Sequence, residues 1–364
     1  MFNRDYETMT SKERVKRTLA FERSDRIPIN YAANPTIHEK FAKTLGVDKN
    51  DYDKILDIIG ADFRGVWIPY RGPMLFKQVD GLEVNPVYGY YTKLIYNQSG
   101  YYHDFCNFPL QYADDEEIAN FPVPNPDDFD YSNIENILNS HKDKAMIIGG
   151  AGNADIINST GRVMGMEEAL VRLYDEDEAV LTYLDKRFDM EIGTLDRIMR
   201  KAKKGSIDLL RIGEDLGTQI APMISLDLYR KVFKPRHQRF IDFAKSYDLP
   251  VIIHTCGSSS WVYNEFIEMG INAVDTLQPE AKNMTPQYLR DNFGGRLCFE
   301  GCISTAGVLT TGSPEDVANT VKETIEVFKD LNCYILAPTH MIQDNTPVEN
   351  VTAMYEAAHK YGRY

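Results

Sequence analysis

The sequence predicts a (β/α)₈ barrel formed by one domain over residues 1–364, and three observations carry that expectation. Short β-branched or apolar runs recur eight times, amphipathic stretches separate the later ones, and polar residues with chemical potential collect where the runs end. Alternating strand and helix implies a parallel sheet, and eight units imply closure. The rival architecture is a doubly wound open sheet, and neither a G-x-G-x-x-G fingerprint nor a P-loop pattern is present to support it.

Taken in order, the strand candidates begin with "RIPINYA" (26–32). It is preceded by "SKERVKRTLAFE", a helix that Ser11 would cap and that would turn Arg14 to its polar side. The second strand is "DFRGVWIP" (62–69), after which residues 73–112 break the rhythm. Asp80-Gly81 and Ser99-Gly100 are turn signals between alternating residues, so this stretch reads as an inserted β-hairpin. The acidic, proline-rich "DDEEIANFPVPNPDDFDYSN" that follows reads as a surface connection. The remaining strands are "AMIIGGAGN" (145–153), "IDLLRIGED" (207–215), "LPVIIHTCG" (249–257), "INAVDTLQPE" (271–280), "RLCFEGCIS" (296–304) and "CYILAPTH" (333–340). Between the later ones lie helical stretches such as "SPEDVANTVKETIEVFKDL", and helices also precede the barrel at the N-terminus.

Composition narrows the function. A formal net charge of -14 argues against a nucleic-acid partner, since phosphates demand a basic face. No stretch is apolar enough to span a bilayer, and the N-terminus is too charged for a secretory signal, so a cytoplasmic protein is expected. Its five cysteines are odd in number and scattered, which suits thiols rather than a disulfide framework. Cys298 and Cys333, at strand starts, read as small core hydrophobes, and Cys106 as hairpin packing. His237, inside a helix, is expected on the surface or bonded locally. Tyr361 and Tyr364 at the C-terminus would suit a homodimer contact.

In such a barrel the active site lies at the C-terminal ends of the strands. Strand three ends in glycines and Asn153, strand four in Glu214 and Asp215, strand five in His254 and Cys256. Strand six ends in Asp275, Gln278 and Glu280, strand seven in Glu300 and Cys302, and strand eight in His340. His254 and Cys256, two positions apart, face the same side. Imidazole nitrogen with thiolate sulfur is the donor pair a zinc ion prefers, and a catalytic zinc keeps three protein ligands with one position open. His340, Cys302, Gln278 and Glu280 compete for the third place. The alternative is a buried histidine bonded to a carbonyl beside an inert cysteine. Glu214 and Asp215 are the candidate acid/base pair. Asn153, Gln278, Glu280 and Trp67 are the candidate substrate contacts.

The segments "MTSKERVKRTLAFERSDRIPI", "GEDLGTQIAPMISLDLYRKVFKPRHQRFIDFAK", "HTCGSSS", "VDTLQPEAKNMTPQYLRDNFGGRLCFEGCIS" and "ILAPTHMIQDNTPVENVTAMYEAAHKYGRY" together resemble the uroporphyrinogen decarboxylase superfamily over nearly the whole chain. That resemblance implies a barrel with N-terminal helices. The superfamily's decarboxylases carry an RQAGRY-type motif after the first strand and an FSD-type motif after the second. Here those places read "NYAANPTIHEKF" and "FRGVWIPYRG". The sequence is closer to the cobamide-dependent methyltransferase branch, whose H-x-C-G histidine and cysteine bind zinc. A further zinc cysteine of that branch sits in a PGC-type motif at the last strand. Pro338-Thr339-His340 stands there, so imidazole would replace thiolate.

The resemblance therefore implies zinc held by His254, Cys256 and His340, with Cys302 as a possible addition, and Glu214 and Asp215 positioning substrate or moving a proton. The implied reaction moves a methyl group between a small thiol, ether or amine and a corrinoid. No D-x-H-x-x-G motif occurs in the chain, so the corrinoid should arrive on a partner protein. Two rival readings are a metal-free decarboxylase of a porphyrinogen-like substrate and a non-catalytic ligand-binding barrel.

Overall fold

The computed structural model describes residues 2–364. Seven parallel strands lie side by side in chain order: β1 (Phe63–Gly65), β5 (Ala145–Gly149), β6 (Leu209–Gly213), β7 (Val251–His254), β8 (Ala273–Thr276), β9 (Cys298–Ile303) and β10 (Tyr334–Pro338). Each falls inside a stretch that the sequence predicts as strand. Both faces of these strands are covered, by helices outside and by opposing strands within, so runs such as Val251, Ile252 and Ile253 are buried regardless of parity. Each such side chain contributes about 1.5–3 kcal/mol by leaving water.

The first expected strand forms no regular ladder, yet it closes the ring. Ile29 bridges Leu336 of β10 in parallel, with Asn30 N–H donating to Leu336 O at 2.8 Å and Leu336 N–H to Pro28 O at 2.9 Å. On its other side Asp62 N–H donates to Ile29 O at 2.8 Å, just before β1. The ladder is interrupted for a chemical reason: Pro28 has no N–H, and the N–H of Ile29 goes to the Asp62 side chain at 2.7 Å.

Three helices frame this closure, α1 (Ser11–Leu19), α2 (Pro35–Leu45) and α3 (Tyr52–Ile59). Thr10, not Ser11, caps α1: its hydroxyl accepts from Glu13 N–H, and the Glu13 carboxylate accepts from Thr10 N–H. Arg14, expected on the polar side of α1, is instead fully buried. The reason is that Asp62 and Asp25 wait for it, at 2.6 and 2.7 Å.

The segment after β1 carries an antiparallel sheet of β2 (Glu83–Val84), β3 (Tyr91–Tyr96) and β4 (Tyr101–Cys106), with Tyr91 opposite Cys106 and Tyr96 opposite Tyr101. It is moored at its base by Arg187, whose guanidinium sits 4.6 Å from the centre of the Tyr88 ring and is paired with Glu191 at 2.8 Å. All five cysteines are free, with Cys298 and Cys333 fully buried. Tyr361 and Tyr364 are half-buried and pack on the core.

Candidate metal centre

The mouth of the barrel opens into a cavity of about 390 Å³ whose wall includes Asn30, Arg211, Asp215, His254, Cys256 and His340. His254 ends β7, and Cys256 follows on the same side, placing His254 Nε2 and Cys256 Sγ 3.4 Å apart. Asp215 lies two residues past the end of β6, with Oδ1 3.9 Å from His254 Nε2. Among the described residues, Asp215, His254 and Cys256 are the group whose ligand atoms all lie within 4.8 Å of one another.

Two glycines make this approach possible. A Cβ on Gly257, whose φ is +70°, would lie 2.2 Å from Gly217 O, and one on Gly217 would lie 2.5 Å from Ser258 N. The loops after β6 and β7 therefore touch backbone to backbone, which only glycine permits. Across that contact Ser258 N–H donates to Thr218 O at 2.8 Å, and Cys256 N–H to Asp215 Oδ1 at 2.9 Å. Gln278 reaches over from the next loop and accepts from Gly257 N–H at 2.7 Å.

The donor set suits zinc. Nitrogen and sulfur ligands at about 2.0–2.3 Å from a tetrahedral ion stand roughly 3.3–3.6 Å apart; His254 Nε2 and Cys256 Sγ at 3.4 Å match this, and Asp215 Oδ1, 3.9 Å from Nε2, lies a little beyond it. His254 Nδ1 is bonded to Asp275 Oδ1 at 2.7 Å, which leaves the Nε2 lone pair facing Cys256 and Asp215. Asn158 Nδ2 donates to the far oxygen of Asp215 at 2.8 Å. Burial pushes Asp215 up, but the His254 imidazole and the bonds from Asn158 and Cys256 N–H outweigh it and hold the carboxyl below its usual range. Asp275 is also held low, with Arg211 and His254 overcoming its burial.

The structure distributes the other predicted residues differently. His340 lines the same cavity but stands outside the close group: β10 ends at Pro338, and the exposed imidazole lies 3.3 Å through Nδ1 from Gln343. Cys302 is 1% exposed and does not line the cavity; burial raises its thiol strongly. Both oxygens of Glu214 accept backbone N–H groups, from Ile156 at 2.8 Å and Ile157 at 3.0 Å, so it anchors the start of the helix Ile157–Met164. Burial drives its carboxyl well above the ordinary range. Asn153 is half-buried behind the wall, where its carbonyl accepts from Gly213 N–H. Glu280 is exposed and accepts from Ser304 Oγ at 2.8 Å, and Trp67 is 76% exposed. His237, expected on the surface or bonded locally, is fully buried 3.3 Å from Glu214, and burial lowers it to about 4.

Sequence reasoning passed over Arg211 and Asn30. Arg211 Nη2 lies 2.8 Å from Glu300 and 3.2 Å from Asp275, and Asn30 Nδ2 donates to Glu300 at 2.6 Å. The signal for Arg211 was a lone charge inside an apolar strand, in "LLRIG".

A model of the family described as uroporphyrinogen decarboxylase (URO-D) matches residues 114–361. The chain belongs to the uroporphyrinogen decarboxylase family. This URO-D member is 26% identical over 140 residues to the methylcobamide:CoM methyltransferase MtbA of Methanosarcina acetivorans. It is 28% identical over 137 residues to a methylated-thiol–coenzyme M methyltransferase of Methanosarcina mazei. These similarities lie in the cobamide methyltransferase branch of the superfamily. The matched stretches are 38% and 37% of this chain and span 38% and 34% of the two relatives. A solved methyltransferase from Methanosarcina mazei superposes with a TM-score of 0.65, covering 97% of this chain and 99% of that one at 16% identity, and so shares the fold. Among the described residues no helix is long and apolar enough to cross a membrane.

Proposed function

We propose that this URO-D family member transfers a methyl group between a small thiol, ether or amine and a corrinoid carried on a separate protein, using zinc held by His254, Cys256 and Asp215. The convergence of those three donors within 4.8 Å at the cavity mouth carries the reading. Bound there, zinc would either lower the pKa of a coordinated thiol or polarise an ether or amine as a Lewis acid. The corrinoid would approach over the mouth on its partner.

The chain's own residues then have definite tasks. Asp275 holds the His254 ring so that Nε2 faces the metal position, and Asn158 orients the Asp215 carboxylate. Glu214 ties down the start of the helix that carries Asn158, which makes it a positioning residue for the site. His340 on the cavity wall is a fourth group within the same space. Gln278 and Glu280, on the loop after β8, and the exposed Trp67 stand outside the cavity wall and are the candidate contacts for the outer part of a substrate.

Charge also favours methyl transfer over porphyrinogen decarboxylation. Asp215 and Asp275, both held below the usual carboxylate range, line the cavity against Arg162 and Arg211, and Arg211 is already occupied by Asp275 and Glu300. A substrate bearing many carboxylates would meet like charge.

Elemental analysis of the purified protein, alone and as Cys256→Ser, tests the proposal, followed by an assay of methyl transfer from methylcobalamin to a simple thiol. About one zinc per chain, lost with methyl transfer on substitution, is expected. A folded wild-type protein that retains no zinc after reconstitution overturns it.

A further inference from the structure

We propose that Arg211 and Glu300 are positioning residues that fix the orientation of His254 through Asp275, by a chain of charges running across the barrel interior. The inference rests on the reading of His254 as a metal ligand. Sheet register supplies the first part of the argument. His254 pairs with Asp275 across β7 and β8, and Asp275 with Glu300 across β8 and β9, so the three occupy one rung. Arg211 lies on β6, two residues before Gly213, which pairs with His254.

Hydrogen bonds and one ion pair, that of Arg211 with Asp275, supply the second part. Asp275 uses Oδ1 for His254 Nδ1 at 2.7 Å and Oδ2 for Arg211 Nη2 at 3.2 Å. A carboxylate held at both oxygens cannot turn without giving up one of them, so the imidazole plane is held too. Arg211 Nη2 is itself held by Glu300, at 2.9 Å to Oε1 and 2.8 Å to Oε2. Asn30, on the segment that closes the barrel, donates to Glu300 Oε1 at 2.6 Å. The chain thus passes from strand to strand without a gap: Asn30, Glu300, Arg211, Asp275, His254.

Stability alone does not account for these charges. Ion pairs set among residues such as Leu210, Ile212, Val274 and Phe299, all 0% exposed, are costly to bury, and apolar residues of similar volume would often serve the fold as well. Among the described residues, none offers an acceptor to the buried Arg211 Nε. Without the arginine, Asp275 and Glu300 would be neighbouring carboxylates on paired strands, and their repulsion would swing Asp275 away from His254.

The test is Co²⁺ binding to the metal-stripped full chain, read both as affinity and as the visible absorption of the bound ion. Arg211→Met is expected to weaken Co²⁺ binding about 10- to 100-fold and to alter the spectrum. Arg211→Lys should recover much of the affinity, because an ammonium can still hold Asp275. The double variant Arg211→Met with Glu300→Gln relieves the repulsion and guards against misfolding; it should remain weak, since Asp275 Oδ2 is still unheld. Wild-type affinity and spectrum in folded Arg211→Met, or full recovery in the double variant, overturns the inference while leaving the metal reading intact. A wild-type chain that takes up no Co²⁺ overturns the metal reading, and this inference with it, before any variant is compared.

Discussion

The base and the mouth of the barrel bury the same kinds of charge and use them differently. At the base Arg14 and Arg26 are fully buried, and so is Asp62, which accepts from both arginines and from Ile29 N–H. Arg26 donates through all three nitrogens, to Glu7, Asp62, Ile27 O and Gly60 O. At the mouth Arg211 Nε has no acceptor among the described residues, and His254, Cys256 and Asp215 face a cavity. The base network is closed on itself and locks the chain, whereas the network at the mouth ends in side chains that face a cavity.

The largest expected effect breaks the base. Asp62→Ala would take the shared carboxylate from two buried guanidinium groups, leaving each with one hydrogen-bonded acidic partner, and urea unfolding should show a loss of about 3–5 kcal/mol. Metal content at the mouth should be unchanged in whatever fraction stays folded. A loss below about 1 kcal/mol would show that the base network is not what closes the barrel.

Acid should sharpen the contrast next, through His359 at the base. Its Nε2 lies 2.8 Å from Ile59 O and its Nδ1 2.9 Å from Tyr6 OH, an arrangement that suits the neutral ring. Burial lowers its pKa from 6.5 to about 4. The unfolded chain therefore binds more protons between these values, so this contribution is present above pH 6.5 and is lost as pH falls towards 4, by at most about 3 kcal/mol. Unfolding free energies of His359→Gln measured across that window should fall less steeply than those of the wild type; parallel slopes would refute the assignment.

At the mouth, Asp275→Asn should lower zinc affinity about 10- to 100-fold, roughly 1.4–2.8 kcal/mol. Competition with a chelating dye would measure it, and equal affinities would remove Asp275 from the site. The smallest effect belongs to the glycine crossing. Gly257→Ala adds a methyl at a φ of +70° against Gly217 O, for a cost on the order of 1–2 kcal/mol in thermal unfolding. It should also loosen the contact between Asp215 and Cys256, detectable as faster zinc release.

Much of this was legible in the sequence because it follows from local periodicity. The seven ladder strands appear as apolar runs, and His254 and Cys256 share a side because strand side chains alternate over two residues. Arg14 was misjudged for the opposite reason: helical spacing says which face it lies on, but not that Asp62, 48 residues away, would draw that face inward. His237 likewise became buried because Glu214 and Tyr229 surround it. Asp215 was visible as a strand-end acid, and its nearness to His254 was not.

What the sequence determined by itself is the alternation of strand and helix, the ring of polar residues at the strand ends, and one imidazole–thiol pair, all consequences of contacts within a few residues. Only the tertiary structure decided that Asp215 rather than His340 or Cys302 stands beside that pair. The same holds for Arg211 and Glu300, 89 residues apart, meeting behind it. Those choices depend on how neighbouring strands are staggered and how closely two glycine-bearing loops can cross. Such distances emerge from packing the whole barrel, and no short stretch of chain contains them.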